Sequence, residues 1–215
     1  MSSSTTPDTS TGDTATAARR RNPPWRWRVV DIVVASVVGV ALGVVYFAWD
    51  FAYNGLEAPL KALLPGASAF TEGVWLVGAV LGGLLIRKPG AAVYVELLAA
   101  TVEALVGGQW GLLTLVSGVL QGLGAEVVFL LLGYRFFRLP VAWLAGAGAG
   151  AALAAFELHV YYPGSSALYV TVFSVSAVLG GAVLAGTLGW LAVRSLAGTG
   201  AISRFAAGRD TGRLV

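Results

Sequence analysis

The chain has 215 residues, of which 57% are hydrophobic and only 12% are charged. A soluble domain needs about 25% charged residues to cover its water-facing surface. The composition therefore excludes a soluble protein and predicts a polytopic membrane protein. The absence of cysteine excludes disulfides, thiol catalysis and cysteine-ligated metals, and the single histidine argues against a histidine metal site or a catalytic triad.

The net charge of +3 comes from the two ends of the chain. Five arginines and two aspartates lie in residues 1–28, and four arginines and one aspartate lie in residues 194–215. The apolar body between them is net negative, so no clustered basic surface is left to bind nucleic acid. The polar composition of residues 1–24 predicts a disordered cytoplasmic tail, and residues 197–215 a second tail, on either side of a membrane domain at 25–196.

Six apolar stretches approach the 20 or so residues that a helix needs to cross a bilayer. In chain order they are residues 29–49, 67–86, 91–106, 111–133, 141–160 and 167–193. Turn-forming residues separate them, for example at 88–90 and 162–164. The predicted fold is all-α, with six transmembrane helices. Residues 50–66 are predicted to be a long external loop that could act as a lid.

Lysine and arginine placement predicts the orientation in the membrane. With six spans, thirteen of the 14 basic residues fall on one side, and only Lys61 falls on the other. Because basic residues accumulate in cytoplasmic loops, both termini are predicted to be cytoplasmic. The predicted location is the plasma membrane.

Acids, amides and aromatic residues accumulate in the outer half of the predicted bundle. A charged side chain at mid-membrane costs about 2.5–3.5 kcal/mol even on lenient scales, so each one needs a role. Carboxylates accept hydrogen bonds from amino-heterocycles, and indoles stack on flat rings and attract cations. The pattern suits a small, flat, nitrogen-rich ligand. The candidate binding residues are Glu72, Trp75, Glu103, Gln109, Trp110, Gln121, Glu157, His159 and Tyr161.

Structural roles for these residues stay open. Trp75, Trp110 and Tyr161 could belong to an interfacial aromatic belt. Glu72 could be a solvated acid, and His159 a residue of the membrane interface.

Other function classes also stay open. Glu96 and Glu126 suit hydrogen bonds between helices, but they could form a proton relay in a stand-alone secondary transporter. An intramembrane hydrolase using Glu157 and His159 is disfavoured, because residues two apart point to roughly opposite sides of a helix. A structural scaffold would leave the outer polar cluster without a purpose.

Small residues recur every four positions on the first predicted helix, at Ala35, Gly39 and Gly43. Such a face allows close helix approach, either inside the bundle or against another membrane subunit. The sequence contains no nucleotide-binding P-loop, so energy for transport would come from a partner or a gradient. No cofactor or metal is expected.

Three motifs carry a family resemblance. They are Glu-Gly-Val-Trp-Leu at 72–76, Lys-Pro-Gly-Ala-Ala at 88–92 and Gln-Gly-Leu-Gly-Ala-Glu at 121–126. With these motifs, residues 29–196 resemble the YkoE-type substrate-binding (S) component of energy-coupling-factor (ECF) transporters, which are importers of the ABC class.

The resemblance implies a function and a set of partners. It implies a non-enzymatic membrane subunit with six helices, cytoplasmic termini and an outward-facing pocket for thiamine or its hydroxymethylpyrimidine precursor. It also implies that the nine candidate residues bind this ligand. A small-residue face made by Ala35, Gly39 and Gly43 would then dock an EcfT-type transmembrane coupling subunit, which binds two ATPase subunits.

Overall fold

A computed structural model describes residues 25–200, 202–203 and 205–209, and within these residues the chain is helical and has no strand. The predicted tail at 1–24 and residues 210–215 of the second predicted tail lie outside them. The α-helices are α1 (Val29–Leu63), α2 (Val77–Ile86), α3 (Ala91–Val106), α4 (Leu113–Leu131), α5 (Leu139–Val160), α6 (Ala167–Gly180), α7 (Thr187–Gly198) and α8 (Ala206–Arg209). A 3₁₀ helix (Ala67–Leu76) leads into α2, and a π-helical turn (Gly181–Gly186) joins α6 to α7.

Five helical segments of the described chain are long and apolar enough to cross a membrane. They are Val29–Leu63, Ala67–Ile86, Leu113–Leu131, Leu139–Val160 and Ala167–Gly198. The predicted all-α membrane architecture is confirmed to that extent. The third predicted span is α3, which has 16 residues and is about 24 Å long. Because α3 packs against α1, α2 and α4, its neighbours shield it from lipid and a shorter length suffices.

The first helix is much longer than predicted. It was expected to end at Trp49, before a flexible loop at 50–66, but α1 continues to Leu63. The extension is held by tertiary packing, because Asp50 and Tyr53 are buried on the same helix face as Tyr46. Helical spacing of four and three residues between these positions is the signal that the loop prediction missed.

The second span changes its helix type at mid-length, and its second half is the centre of the bundle. All ten residues of α2 are buried. Glycines allow very close packing around this span, since a Cβ on Gly73 would collide with the backbone of Gly180, and a Cβ on Gly146 with the backbone of Gly181. The π-helical turn thus begins where three segments meet backbone to backbone.

Basic residues from distant parts of the sequence meet at one end of the bundle. Lys88 forms an ion pair with the fully buried Asp31, which also binds Arg28 at 2.9 Å. Trp27 Nε1 donates to Pro89 O at 2.9 Å. The start of α1 and the α2–α3 turn therefore share one end, as the charge pattern predicts; we call it the basic end.

The small-residue face of α1 is covered by α3. Ala35 is fully buried, and Gly39 and Gly43 are buried beside it. A Cβ on Gly43 would lie 2.5 Å from the Cβ of Val102 and 2.6 Å from Ala99 O. The expectation that these three residues dock a coupling subunit is therefore corrected: they bring α1 and α3 together inside the bundle, so the face is not open to a partner.

Candidate ligand-binding site

A cavity lies in the half of the bundle away from the basic end, and its empty space, counted together with the open solvent at its mouth, is about 500 Å³. It is enclosed by α1, the 3₁₀ helix, α3, the α3–α4 loop, α4 and α5. The lining residues are Tyr46, Glu72, Trp75, Glu96, Ala100, Glu103, Trp110, Thr114, Ser117, Gln121, Leu153, Glu157 and Tyr161. The structure thus brings together seven of the nine residues that the sequence analysis selected.

The inner wall of the cavity forms where the 3₁₀ helix becomes α2. A helix start leaves backbone N–H groups without partners inside the helix. Here Gly78 N donates to Tyr46 Oη at 2.7 Å, and Ala79 N donates to Glu96 Oε2 at 2.6 Å. Tyr46 Oη in turn donates to Glu96 at 3.1 Å. Glu96 lines the cavity, and one of its oxygens is used to cap α2 from α3.

Glu72 and Trp75 approach the cavity from the 3₁₀ helix. Glu72 is 3% exposed, and its Oε1 accepts a hydrogen bond from Tyr53 Oη at 3.0 Å. The second oxygen, Oε2, is buried and has no partner among the described residues, and the same is true of Trp75 Nε1. Glu72 Oε2 is therefore available as an acceptor and Trp75 Nε1 as a donor.

Glu103 lies two helical turns beyond Glu96 on α3 and is 1% exposed. Its carboxyl group neighbours that of Asp50 on α1, whose oxygens accept from the backbone and side-chain nitrogens of Gln109 at 3.4 Å each. Glu103 Oε1 remains buried and unpartnered within the described chain. Asp50 is only 4% exposed, so this acidic pair is cut off from bulk water.

Aromatic rings form the outer part of the cavity wall. The Trp75 and Trp110 ring centroids are 6.4 Å apart at 88°, and those of Trp110 and Tyr161 are 5.9 Å apart. Tyr53 supports both indoles from behind, 4.9 Å from Trp75 and 6.3 Å from Trp110. In the edge-to-face pairs the edge of one ring packs on the face of the other, which holds the rings in place around the cavity.

The wall formed by α4 presents hydroxyl and amide groups. Gln121 is buried and donates through Nε2 to Ser117 Oγ at 2.6 Å. One turn earlier, Thr114 Oγ1 is buried without a partner in the described part of the chain. Together with Glu72, Trp75 and Glu103, Thr114 gives four unpartnered polar atoms on one cavity. Buried polar groups are nearly always hydrogen-bonded, so such a concentration marks a place for a ligand or water.

The cavity is strongly acidic. Four carboxyl groups line it, from Glu72, Glu96, Glu103 and Glu157, whereas its described lining includes no lysine, arginine or histidine. It can therefore accept hydrogen bonds from amino groups and attract a positively charged ring, but its described lining offers no positive charge to an anion.

Two predicted binding residues are not brought to the cavity wall. His159 is exposed near the end of α5, two residues before Tyr161. Gln109 is exposed as well, and it contacts the site only through Asp50. Sequence reasoning in turn missed Tyr46 and Asp50. Both lie on α1, where the signal was a polar face at Tyr46, Asp50 and Tyr53 within an otherwise apolar helix.

Glu126, on α4, lies near the basic end and does not line the cavity. Its Oε1 accepts from Gly90 N at 2.5 Å and its Oε2 from Ala92 N at 3.0 Å, and Tyr134 Oη also donates to it. Glu126 thus caps the start of α3. The expected hydrogen bonds between helices are confirmed for both Glu96 and Glu126. Among the described residues, no group of three or more His, Cys, Asp and Glu side chains is placed to hold a metal ion.

Comparisons with known proteins identify relatives across most of the chain. A family model described as ABC-type cobalt transport system, permease component, matches residues 30–152. YkoE of Bacillus subtilis (strain 168), which is named as an HMP/thiamine permease protein, is 38% identical over 185 residues, covering 86% of this chain and 92% of YkoE.

A solved structure agrees with this relationship. The crystal structure of an S-component of an ECF transporter superimposes with a TM-score of 0.80 at 37% identity, covering 87% of this chain and 94% of that one. Sequence identity and shared fold extend over the helices that build the cavity. The chain therefore belongs to the YkoE-type S components of ECF transporters.

Proposed function

We propose that this chain is the substrate-binding membrane subunit of an ECF-type ABC importer and that it captures thiamine or its hydroxymethylpyrimidine (HMP) precursor in the acidic cavity. The family supports a role in membrane transport, and the name of the YkoE relative supports this substrate class. The subunit binds its ligand, and ATP is hydrolysed on partner subunits.

One observation carries the proposal: four buried polar atoms without partners converge on a cavity walled by aromatic rings. An aminopyrimidine is flat and carries an exocyclic amino group beside ring nitrogens. Glu103 Oε1 and Glu72 Oε2 can accept from the amino group, and Trp75 Nε1 can donate to a ring nitrogen. The face of Trp75 or Trp110 stacks on the ring.

The proposed orientation places the basic end in the cytoplasm and the cavity near the outer face. The positive-inside rule supports it, because Arg26, Arg28, Arg87 and Lys88 all lie around the basic end, with α3 counted as the sixth span. The proposed partners are an EcfT-type coupling subunit and two ATPases. Their docking surface lies elsewhere than the Ala35, Gly39 and Gly43 face, which α3 covers.

Calorimetry on the detergent-purified chain tests this function. We expect thiamine or HMP to bind with one-to-one stoichiometry and to raise the apparent melting temperature, whereas an anionic vitamin of similar size does neither. If no B-vitamin or precursor in such a panel binds, the proposed function is wrong.

A stand-alone proton-coupled transporter is the alternative function. It would use Glu96 and Glu126 as a relay, but hydrogen bonds from Ala79 N and from Gly90 N already engage these carboxyl groups as helix caps. Proteoliposomes containing the purified chain alone separate the two functions. The ECF role predicts no concentrative uptake until coupling and ATPase subunits are added, and proton-driven uptake by the chain alone would reverse our choice.

A further inference from the structure

We propose that the cavity exchanges a proton for a cationic ligand, and that the Asp50–Glu103 pair is the group that releases this proton. The inference rests on the proposed function and adds a property, the charge of the ligand, by which the site would distinguish the two substrates. Thiamine carries a permanent positive charge on its thiazolium ring, whereas the hydroxymethylpyrimidine is neutral near neutral pH.

Acids are dense around the cavity. Four carboxyl groups line it, and Asp50 neighbours one of them. A buried carboxylate is stable only when a cation or several hydrogen-bond donors balance it. No basic side chain is part of the described lining. The empty site therefore holds protons on part of this cluster.

One of these protons is assigned to a particular pair. The carboxyl groups of Glu103 and Asp50 are neighbours and both are almost fully buried. Two neighbouring buried carboxyl groups do not both ionise without a cation, so the pair holds a proton. Asp50 is the better placed to be the ionised partner, because two nitrogens of Gln109 donate to it. The shared proton therefore belongs to Glu103.

Glu103 keeps one oxygen free for a ligand. It is 1% exposed and its Oε1 is unpartnered, whereas Oε2 of Glu96 is used by Ala79 and Tyr46. Glu72 also has an unpartnered Oε2, but its Oε1 is held by Tyr53. A bound cation next to Glu103 supplies the missing positive charge. The O–H bond of Glu103 then breaks, its electron pair stays on the carboxylate, and the proton leaves to water.

Several other ionisable groups surround Glu103. Tyr46 and Asp50 face it from α1, Glu96 from its own helix, Glu72 from the 3₁₀ helix, and Glu157 and Tyr161 from α5. Lys61 acts on Glu72 and forms an ion pair with Glu57 at 2.5 Å. Within the described chain, the groups facing Glu103 are thus acids and phenols, which favour its protonated form until a cation arrives.

Calorimetry in buffers of different ionisation enthalpy measures the protons released on binding. We expect wild-type protein to release about one proton per bound thiamine and close to none per bound hydroxymethylpyrimidine. By linkage, the affinity for thiamine then rises with pH by up to about tenfold per unit, while the affinity for the neutral pyrimidine stays flat. Binding of thiamine without buffer-dependent heat would overturn the inference and leave the proposed function intact.

Two variants and one control test the assignment. Glu103→Gln should abolish proton release on thiamine binding, and Asp50→Asn should reduce it, because Glu103 without an ionised neighbour carries its proton in a smaller fraction of the empty sites. Glu126→Gln removes a buried carboxylate outside the cavity and should release the same number of protons as wild type. Proton release that persists unchanged in both Glu103→Gln and Asp50→Asn would rule out this pair as the source.

Discussion

Two glutamates on one face of α3 show how differently the same side chain is used in this protein. Glu96 and Glu103 are seven residues apart, or two helical turns, and both are almost fully buried. Hydrogen bonds from Ala79 N and Tyr46 hold Glu96, whereas Glu103 keeps one oxygen open to the cavity. Position along the helix relative to the start of α2 decides which of them is structural and which is available to a ligand.

Much of the candidate site was predictable at this scale. Acids deep in apolar spans are costly, and that cost singled out Glu103 and Glu157 among the residues that line the cavity. The depth argument does not place His159 correctly. The position of a residue along a helix predicts its depth in the membrane but not the direction in which its side chain points. The depth argument also missed Asp50, because a hydrophobicity count ends the first span one residue too early.

Substitution of Glu103 and Trp75 tests the role of the two residues directly. We expect Glu103→Gln and Trp75→Ala each to weaken binding of thiamine at least tenfold, or about 1.4 kcal/mol, because the carboxylate that balances the cationic ring is lost in the first and a stacking face in the second. His159→Ala is the matched control and should bind as wild type does. Calorimetry measures all three; if Glu103→Gln and Trp75→Ala keep wild-type affinity, the pocket is assigned wrongly.

At the scale of helices, the order and type of the elements follow from the sequence, but their internal breaks do not. Apolar stretches and turn residues placed most helix boundaries within a few residues. The 3₁₀ helix and the π-helical turn escaped prediction, because both arise where glycines such as Gly73 and Gly180 meet across the bundle. Such contacts join residues far apart in sequence and leave no local periodicity.

The contact between α1 and α3 provides a test of internal packing against partner docking. Gly43→Ala should lower the stability of the isolated chain by about 1–3 kcal/mol, since the new methyl group collides with Val102. Gly55→Ala on the same helix has no atom within 4 Å of the added Cβ and should be neutral or stabilising by about 0.5–1 kcal/mol. Thermal and chemical unfolding in detergent measure both. Equal stability of the two variants would restore the docking interpretation for Gly43.

At the scale of the whole molecule, the cluster of basic residues and the cavity lie toward opposite ends of the bundle. Arg28 and Lys88 meet Asp31 at one end, and the cavity lies toward the other. The sequence could predict this polarity from lysine and arginine counts alone. It could not predict that α1 continues as a helix past Trp49 at the end opposite the basic end, because that depends on Tyr53 packing against Trp75.

Single-cysteine labelling tests the orientation, and the native chain has no cysteine to interfere. We expect Leu64→Cys, exposed beyond the end of α1, to react with a membrane-impermeant maleimide in intact cells. Phe136→Cys, exposed at the basic end, should react only after the membrane is permeabilised. The reverse pattern would invert the proposed topology.

The uninterrupted length of α1 has a mechanical consequence. Asp31 and Tyr53 belong to the same continuous helix and are 22 positions, or about 33 Å, apart. Because α1 is one continuous helix, a tilt at one of its ends also moves the other end, and no chain of side-chain contacts between the two ends is needed. A bound ligand that displaces Tyr46, Asp50 or Tyr53 would therefore also move Asp31 and its ion pairs at the opposite end of the helix.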